Sequence, residues 1–214
     1  LVDGRPFLYD ARFTSSNGEA SCGGCHAFAD LDSLAWDLGN PDATVTTNPN
    51  PIHFGDYQDF HPLKGPMTTQ SLRGLNVRGP MHWRGDRTGG SDPGGNALAQ
   101  DQAFMKFNVA FPGLLGRASE LPVSDMTKLT QFVLQIQYPP NPVRAFDGSL
   151  TTAQQRGRDL YFGRKTDGDF NCQGCHTLAP LQGYFGTDGQ TAFQGGPQLL
   201  KIPHLRNLYQ KVCM

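Results

Sequence analysis

The same five-residue pattern, Cys-x-x-Cys-His, occurs twice in this chain. The first copy is Cys22-Gly23-Gly24-Cys25-His26, and the second is Cys172-Gln173-Gly174-Cys175-His176. Four of the five cysteines therefore belong to one repeated pattern, and a histidine follows each pair directly. Any fold that this sequence adopts has to present two thiols and one imidazole together at each of two places.

This pattern is the attachment signature of c-type haem. Two thiols at this spacing can bond the two vinyl groups on one edge of the porphyrin, and the adjacent histidine becomes the proximal ligand of the iron. Because bacteria attach haem outside the cytoplasm, we expect a periplasmic or exported protein. The pattern predicts two covalently bound haem c groups, held by Cys22, Cys25, His26, Cys172, Cys175 and His176.

Other sites built from paired cysteines fit less well. A zinc ribbon repeats its cysteine pair after about 15–20 residues, whereas these two pairs lie near opposite ends of the chain. A thioredoxin-like redox motif does not explain two copies that each precede a histidine. Disulfides within each pair would leave both histidines without a role.

Composition restricts the function further. The 214 residues carry a formal net charge of −1, which argues against a nucleic-acid partner, since such a partner binds a basic stripe. The 26 glycines and 16 prolines indicate many ordered loops that a large buried cofactor could support.

No apolar run is long enough to span a membrane. No secretory signal opens the sequence, and we expect a mature product or a piece of a longer chain.

The surroundings of the two motifs are repeated as well. A Gly-Arg stretch precedes each motif, and a Leu-Arg stretch follows it. These stretches are Gly4-Arg5-Pro6-Phe7-Leu8-Tyr9, Gly157-Arg158-Asp159-Leu160-Tyr161-Phe162, Leu72-Arg73-Gly74-Leu75 and Leu205-Arg206-Asn207-Leu208. The repeat predicts two tandem cytochrome-c-like domains with extensive ordered loops. We place the first, with its linker, at residues 1–140 and the second, truncated, at residues 141–214.

Two helices are predicted with defined ends. One runs from Ser124, its cap, to Gln137 and carries an apolar stripe of Met126, Leu129, Phe132, Val133 and Ile136. The other covers Gln154 to Phe162 and starts with a capping box formed by Thr151 and Gln154. The proline-rich stretch from Tyr138 to Pro142 separates them as a stiff linker.

Six further stretches carry a resemblance to a known family. They are Phe7–Arg12, Gly65–Thr68, Trp83–Asp86, Phe107–Gly113, Leu150–Gly157 and Pro203–Asn207. Together with the two motifs they resemble the bacterial di-haem cytochrome c peroxidase superfamily, which includes the MauG-type enzymes. The segment Pro80–Arg87 is also similar to a branch in which the di-haem unit is fused to other domains. The likeness implies a mainly α fold with one haem in each of two domains.

The resemblance also implies a role for each haem. The N-terminal haem, on His26, would react with hydrogen peroxide. The C-terminal haem, on His176, would take electrons from a small donor protein, a cytochrome c or a cupredoxin, and relay them. The family's organisation is also compatible with a homodimer.

The resemblance supplies candidates for the far side of the N-terminal haem. His61 matches the distal histidine that leaves the iron when the relay haem is reduced; His53 is the alternative ligand. A loop histidine bonded to a propionate or to the backbone is the other interpretation of His61. Trp83 matches the tryptophan between the haems, a role that we favour over that of a core tryptophan, and His82 beside it could bond a propionate.

Peroxide cleavage also needs a group that moves a proton between the two oxygens. The family places a carboxylate beyond the tryptophan, and Asp101 is our candidate, with Gln100 and Gln102 as its neighbours. Arg73 and Arg206 are candidate partners of haem propionates, since guanidinium pairs bidentately with carboxylate. A surface charge is the alternative for either arginine.

Met214 is our candidate for the distal ligand of the C-terminal haem, because Met81 matches it in the repeat; His204 is another candidate. In the family the distal methionine lies well beyond the Leu-Arg-Asn stretch, at a position past Met214. Family members often bind calcium between the domains. Here Thr68 stands where the family has an asparagine ligand, which argues against calcium, although carbonyls near Lys201 and Pro203 would match. Cys213 has no assigned role.

Three functions remain open at this stage. The first, which we favour, is an enzyme that reduces peroxide, or performs a related haem oxidation, at the N-terminal haem. The second is a pure electron carrier with both irons locked. The third is an electron-transfer module of a larger protein, because a fold alone does not set an activity.

Overall fold

The computed structural model describes residues 2–48, 59–77, 80–166, 168–176, 200–203 and 205–211. Helices dominate these residues, which confirms the predicted mainly α class. The α-helices are α1 (Pro6–Tyr9), α2 (Ala11–Thr14), α3 (Cys22–Cys25), α4 (Gln100–Met105), α5 (Ala110–Gly113), α6 (Val123–Val133), α7 (Thr152–Gly163) and α8 (Cys172–Cys175). The 3₁₀ turns are Val2–Gly4, Ala27–Ala29, Leu75–Val77, Gly89–Ser91, Lys106–Val109 and Leu208–Lys211.

Strand structure is minor. Strand β1 (Ala35–Trp36) pairs antiparallel with β2 (Met67–Thr68), in the register Ala35 with Thr68. This small ribbon ties the chain just after the first motif to the segment that precedes Trp83. No helix among the described residues is long and apolar enough to cross a bilayer.

The buried hydrophobic cluster lies in the N-terminal part of the described chain. Helices α1, α4, α5 and α6 surround it together with the turn around Leu75. Its most deeply buried members include Leu8, Met126, Leu129 and Val133. Cys22 packs against this cluster, so the first motif is built directly on the core.

Helix α6 corresponds to the predicted amphipathic helix, but it begins and ends at other residues than the sequence predicted. Its apolar stripe faces the core as expected, and Phe132 and Ile136 pack at the edge of the cluster. The predicted cap was wrong: Pro122 occupies that position and Ser124 lies inside the helix. Proline favours a helix start because it has no N–H that needs a partner. The helix also ends at Val133, before the predicted Gln137.

Helix α7 begins with the predicted capping box. The Gln154 N–H donates to Thr151 Oγ1 at 3.3 Å, and the Thr151 N–H donates to Gln154 Oε1 at 2.9 Å. Gln154 Nε2 also donates to the Val143 carbonyl at 2.8 Å, which anchors the linker to the start of the helix. In contrast to α6, helix α7 contains no buried residue. The division of the chain at residue 140 stays a prediction.

The turn Val2–Gly4 packs directly on α6. A Cβ at Gly4 would lie 2.0 Å from the Lys128 carbonyl oxygen and 2.7 Å from Phe132 Cβ. Both neighbours are held by the helix, so neither can move away cheaply. The close approach of the turn to α6 therefore requires glycine at this position.

We expect Gly4→Ala to lower the free energy of unfolding by about 1–3 kcal/mol, the usual cost of overpacking a well-packed contact. Gly113→Ala is the matched control, because a Cβ there meets nothing within 4 Å. Urea unfolding of both variants measures the difference. Equal stability of the two variants would show that the turn does not pack on α6 as described.

Candidate functional site

The two Cys-x-x-Cys-His motifs adopt the same backbone geometry. Each cysteine pair spans one turn of helix, α3 in the first motif and α8 in the second. The N–H of His26 donates to the Cys22 carbonyl and that of His176 to the Cys172 carbonyl, both at 2.8 Å. The four thiols are free of disulfide bonds. One helical turn thus carries both cysteines of each motif, and the histidine follows the turn directly.

Local contacts position each turn. At the first motif, a Cβ on Gly23 would lie 2.6 Å from Tyr9 Cδ1, so glycine lets α1 cover α3. At the second motif, Asn171 accepts from the Gly174 N–H at 2.7 Å and donates to the Phe162 carbonyl at 2.8 Å. Asn171 therefore caps α8 and ties it to the end of α7.

The thiols of the first motif are held in their protonated form. Burial raises the pKa of the Cys22 thiol to about 11. Burial also raises the pKa of Cys25, and the nearby Asp32 carboxylate adds to the effect. Reactive redox cysteines need a lowered pKa, so this environment argues against a thioredoxin-like function.

The His176 ring is oriented by a backbone carbonyl. Its Nδ1 lies 2.8 Å from the Pro203 oxygen. A carbonyl can only accept, so Nδ1 carries the proton and Nε2 of the neutral ring keeps its lone pair. Histidines that bind metals commonly donate their second ring N–H in this way. Tyr161 adds a second restraint, because its hydroxyl donates to the His176 carbonyl.

The Leu-Arg stretches repeat in structure as well as in sequence. Gly74 and Asn207 occupy matching positions, with φ of +67° and +56°. Glycine and asparagine are the residues that enter this left-handed region most readily. A 3₁₀ turn follows each of them, Leu75–Val77 in one copy and Leu208–Lys211 in the other.

Arg73 holds the segment that follows His26. Its Nη1 pairs with Asp30 Oδ2 at 2.7 Å, and its Nη2 donates to the Phe28 carbonyl at 3.2 Å. Phe28 and Ala29 both have positive φ, a costly conformation that this clamp helps to maintain. Arg206 occupies the matching position of the second turn and is exposed. Propionate binding by either arginine stays a prediction.

Trp83 connects segments from both halves of the chain. Its indole Nε1 donates to the Thr68 carbonyl at 2.7 Å. Its own carbonyl accepts from the Lys201 N–H at 2.5 Å. Thr68 belongs to β2, which pairs with the chain just after the first motif, and Lys201 lies two residues before Pro203, the partner of His176. Trp83 thus contacts segments that lead to both motifs, and its expected position between two haems stays a prediction.

His61 Nδ1 contacts the backbone of Leu63. The Leu63 N–H lies 3.1 Å from Nδ1 and the Leu63 carbonyl oxygen lies 3.4 Å from it. Nδ1 therefore accepts from the N–H in one tautomer of the ring and donates to the carbonyl in the other. In both tautomers Nδ1 is the nitrogen that meets the backbone, and Nε2 is the nitrogen that an iron would bind. The Arg84 guanidinium donates to the His61 carbonyl and holds the same loop.

A buried charge cluster around Asp86 escaped the sequence analysis. The Asp86 carboxylate bonds the His82 Nδ1 and lies 3.7 Å from Lys64 Nζ, 3.6 Å from Arg84 Nε and 4.0 Å from Arg87 Nη1. The side chains of Asp86 and Arg84 are 11% and 5% exposed. The dense run of charges at Arg84-Gly85-Asp86-Arg87 was the available signal. Its burial was not visible in the sequence.

The positive charges of this cluster outnumber the negative one. Burial by itself would raise the pKa of Asp86, but His82, Lys64 and Arg87 hold that pKa well below its usual range. Burial lowers the pKa values of Lys64 and Arg84 although both lie beside Asp86, and the other guanidinium groups add to this lowering. Asp86 is therefore the ionised centre of the cluster. It links the turn that carries His82 to the loop that carries His61 and Lys64.

Asp101 lies in the first turn of α4 and is exposed, whereas the preceding Gln100 is buried. The described contacts do not bring Asp101 to Trp83, and its catalytic role stays a prediction.

The calcium candidates Thr68 and Lys201 both bond Trp83, while the Pro203 carbonyl accepts from His176. Among the described residues, no three His, Cys, Asp or Glu side chains form a metal cluster.

Some candidates lie outside the described residues. These are His53, His204, Cys213 and Met214. The distal ligand of the C-terminal haem therefore stays a prediction from the sequence.

We expect Asp86→Asn to destabilise the fold by about 3–5 kcal/mol near neutral pH, because it leaves the buried Arg84 and the half-buried Lys64 and Arg87 without their carboxylate. Folding lowers the pKa of Asp86. Its contribution is therefore present above the ordinary carboxylate pKa of about 4 and is lost as the pH falls below it. Urea unfolding as a function of pH tests both points.

Asp169→Asn is the matched control, because the Asp169–Lys165 pair is solvent-exposed. We expect no measurable change in its unfolding curve. An Asp86→Asn variant as stable as this control at every pH would contradict the buried cluster.

Comparison with known proteins adds a similarity in fold. A solved structure of a Kuenenia stuttgartiensis hydrazine synthase, pressurised with xenon, superposes with a TM-score of 0.54 at 23% sequence identity. The alignment covers 81% of this chain and 46% of that one, so this chain spans less than half the length of its structural neighbour. No protein-family model and no curated protein matches the sequence. The chain thus shares a fold with part of a hydrazine synthase, and the resemblance to di-haem peroxidases stays an expectation.

Proposed function

We propose that this chain carries two covalently bound haem c groups and reduces hydrogen peroxide at the N-terminal one. The observation that carries the proposal is the matched pair of helical turns, each with two free thiols followed by a histidine. The bond from His176 Nδ1 to the Pro203 carbonyl supports it, because it leaves Nε2 free to bind a metal.

Apolar side chains near the second motif are exposed. Helix α7 carries Leu160 and Phe162, which are 46% and 45% exposed, and Phe170 before α8 is 51% exposed. Helices α7 and α8 contain no buried residue. A porphyrin bonded to Cys172 and Cys175 would offer apolar surface to those of these side chains that face it.

Each residue of the site then has a definite task. Haem, when bound, supplies an iron that exchanges single electrons and can reduce peroxide. The cysteines would hold the edge of each ring, and His26 and His176 would each bind an iron. The Leu63 backbone contacts His61 at Nδ1, so Nε2 would be the nitrogen offered to the iron. Trp83 lies between the two motif regions and serves electron transfer.

The overall reaction sets the demands on the protein. One hydrogen peroxide, two electrons and two protons give two molecules of water. The electrons come from a small redox protein, such as a cytochrome c or a cupredoxin, and enter at the C-terminal haem. We infer a periplasmic or exported location from the haem attachment, and we propose a homodimer only by the family resemblance.

A second function, an electron-transfer module without peroxidase activity, is favoured by two observations. Arg84 and the Asp86–Lys64 pair restrain the His61 loop, and Asp101 is exposed. A locked loop would block peroxide chemistry, and an exposed Asp101 would not serve as the positioned acid. The partial coverage of the hydrazine synthase chain agrees with a module of a larger protein.

Spectroscopy of the haem-loaded protein separates the two functions. We expect electron paramagnetic resonance to reveal a high-spin iron when one haem is reduced, and this signal to shift on addition of hydrogen peroxide. Such a change means that one iron opens to the substrate. Two low-spin irons that ignore peroxide, both oxidised and half-reduced, would support the electron-transfer module.

We expect His61→Ala to convert the N-terminal haem from low-spin to high-spin in the oxidised protein, because the iron loses its distal ligand. The absorption bands of the C-terminal haem should stay unchanged. His53→Ala is the comparison variant and should leave both spectra intact. A His61→Ala protein with an unaltered low-spin spectrum would exclude His61 as the ligand, and a spectral change confined to His53→Ala would assign the position to His53.

A further inference from the structure

The segment Lys201–Pro203, which we call the strap, is bonded at both ends. At one end the Lys201 N–H donates to the Trp83 carbonyl at 2.5 Å. The Lys201 ammonium reaches the same turn and donates to the Pro80 carbonyl at 2.7 Å. At the other end the Pro203 carbonyl accepts from His176 Nδ1 at 2.8 Å. Three residues thus join the Trp83 turn to the second motif.

These contacts form one continuous path. It runs from the His176 ring through a hydrogen bond into the strap, along three residues of backbone, and through a second hydrogen bond into Trp83. The Trp83 indole N–H extends this path by donating to the Thr68 carbonyl. Thr68 belongs to β2, which pairs with β1 after the first motif. Hydrogen bonds to a metal-ligating histidine influence the metal and fix the ring. The strap therefore links the second motif to Trp83.

We propose that the strap carries electronic and positional coupling between the C-terminal haem and Trp83, and that Lys201 is its positioning residue. This inference rests on the proposed presence of two haems, but it does not depend on peroxide as the substrate. Lys201 contributes two donors to one turn, and this double attachment restricts how that turn can move relative to His176.

The electron balance of the step is simple. One electron leaves the C-terminal haem, which is oxidised, and reaches the N-terminal haem, which is reduced. The small donor protein of the proposed function then reduces the C-terminal haem again. No proton or bond needs to be exchanged within the strap, so its task is to hold the path at a constant length.

Lys201→Met tests this inference in the haem-loaded protein, because methionine keeps the apolar stem and removes the ammonium donor to Pro80. The C-terminal haem is reduced rapidly in the absence of peroxide, and electron transfer from it to the N-terminal haem is followed by absorption spectroscopy. We expect the rate to fall roughly tenfold, the scale on which residues of a coupling network act. Amide exchange of residues 80–84 and 201–203, followed by mass spectrometry, should become faster.

Two control variants sharpen the test. Lys201→Arg keeps a donor at the end of a long side chain and should restore most of the rate and of the exchange protection. Lys165→Met removes an exposed lysine that pairs with Asp169 beside the second motif, and should change neither quantity.

The outcomes separate this inference from the proposed function. Slower electron transfer between the haems in Lys201→Met, together with a wild-type protein that does not react with peroxide, would support the role of the strap and exclude peroxidase activity. An unchanged rate and unchanged amide exchange in Lys201→Met would overturn the strap, whatever the activity with peroxide. An equal loss of rate in Lys165→Met would also overturn it, because the effect would then not be specific to the strap.

Discussion

The hydrogen bond from His176 Nδ1 to the Pro203 carbonyl is the interaction on which the functional interpretation depends most. It determines which ring nitrogen of His176 keeps a lone pair, and it brings the 200–203 segment to the second motif. Through Lys201 the same segment reaches Trp83. One backbone carbonyl thus sets the state of a metal-ligand candidate and its connection to the rest of the protein.

The two motif regions differ in how they are supported. The first is built on the hydrophobic cluster, with Cys22 packed against it and α6 beneath. Helices α7 and α8 at the second contain no buried residue, and their apolar side chains are exposed. A bound haem would therefore matter more for the stability of the second region than for that of the first. The buried cluster around Asp86 lies near Trp83 and holds the His61 loop by charge.

Much of the local structure follows from short patterns. The capping box of Thr151 and Gln154 and the apolar stripe of α6 depend on neighbours within a few residues, and the sequence predicted both. The ends of α6 were not predicted, because Pro122 begins the helix in place of Ser124 and the last turn tightens after Val133. Helix ends depend on small energy differences that neighbouring contacts reverse.

The sequence by itself determined the chemistry of this protein: two thiol pairs, each with a histidine, at one spacing. Only the tertiary structure decided that Asp86 lies among cations and that Lys201 meets Trp83. Those contacts join segments that are distant in the sequence, and their energies depend on burial, which no local pattern records.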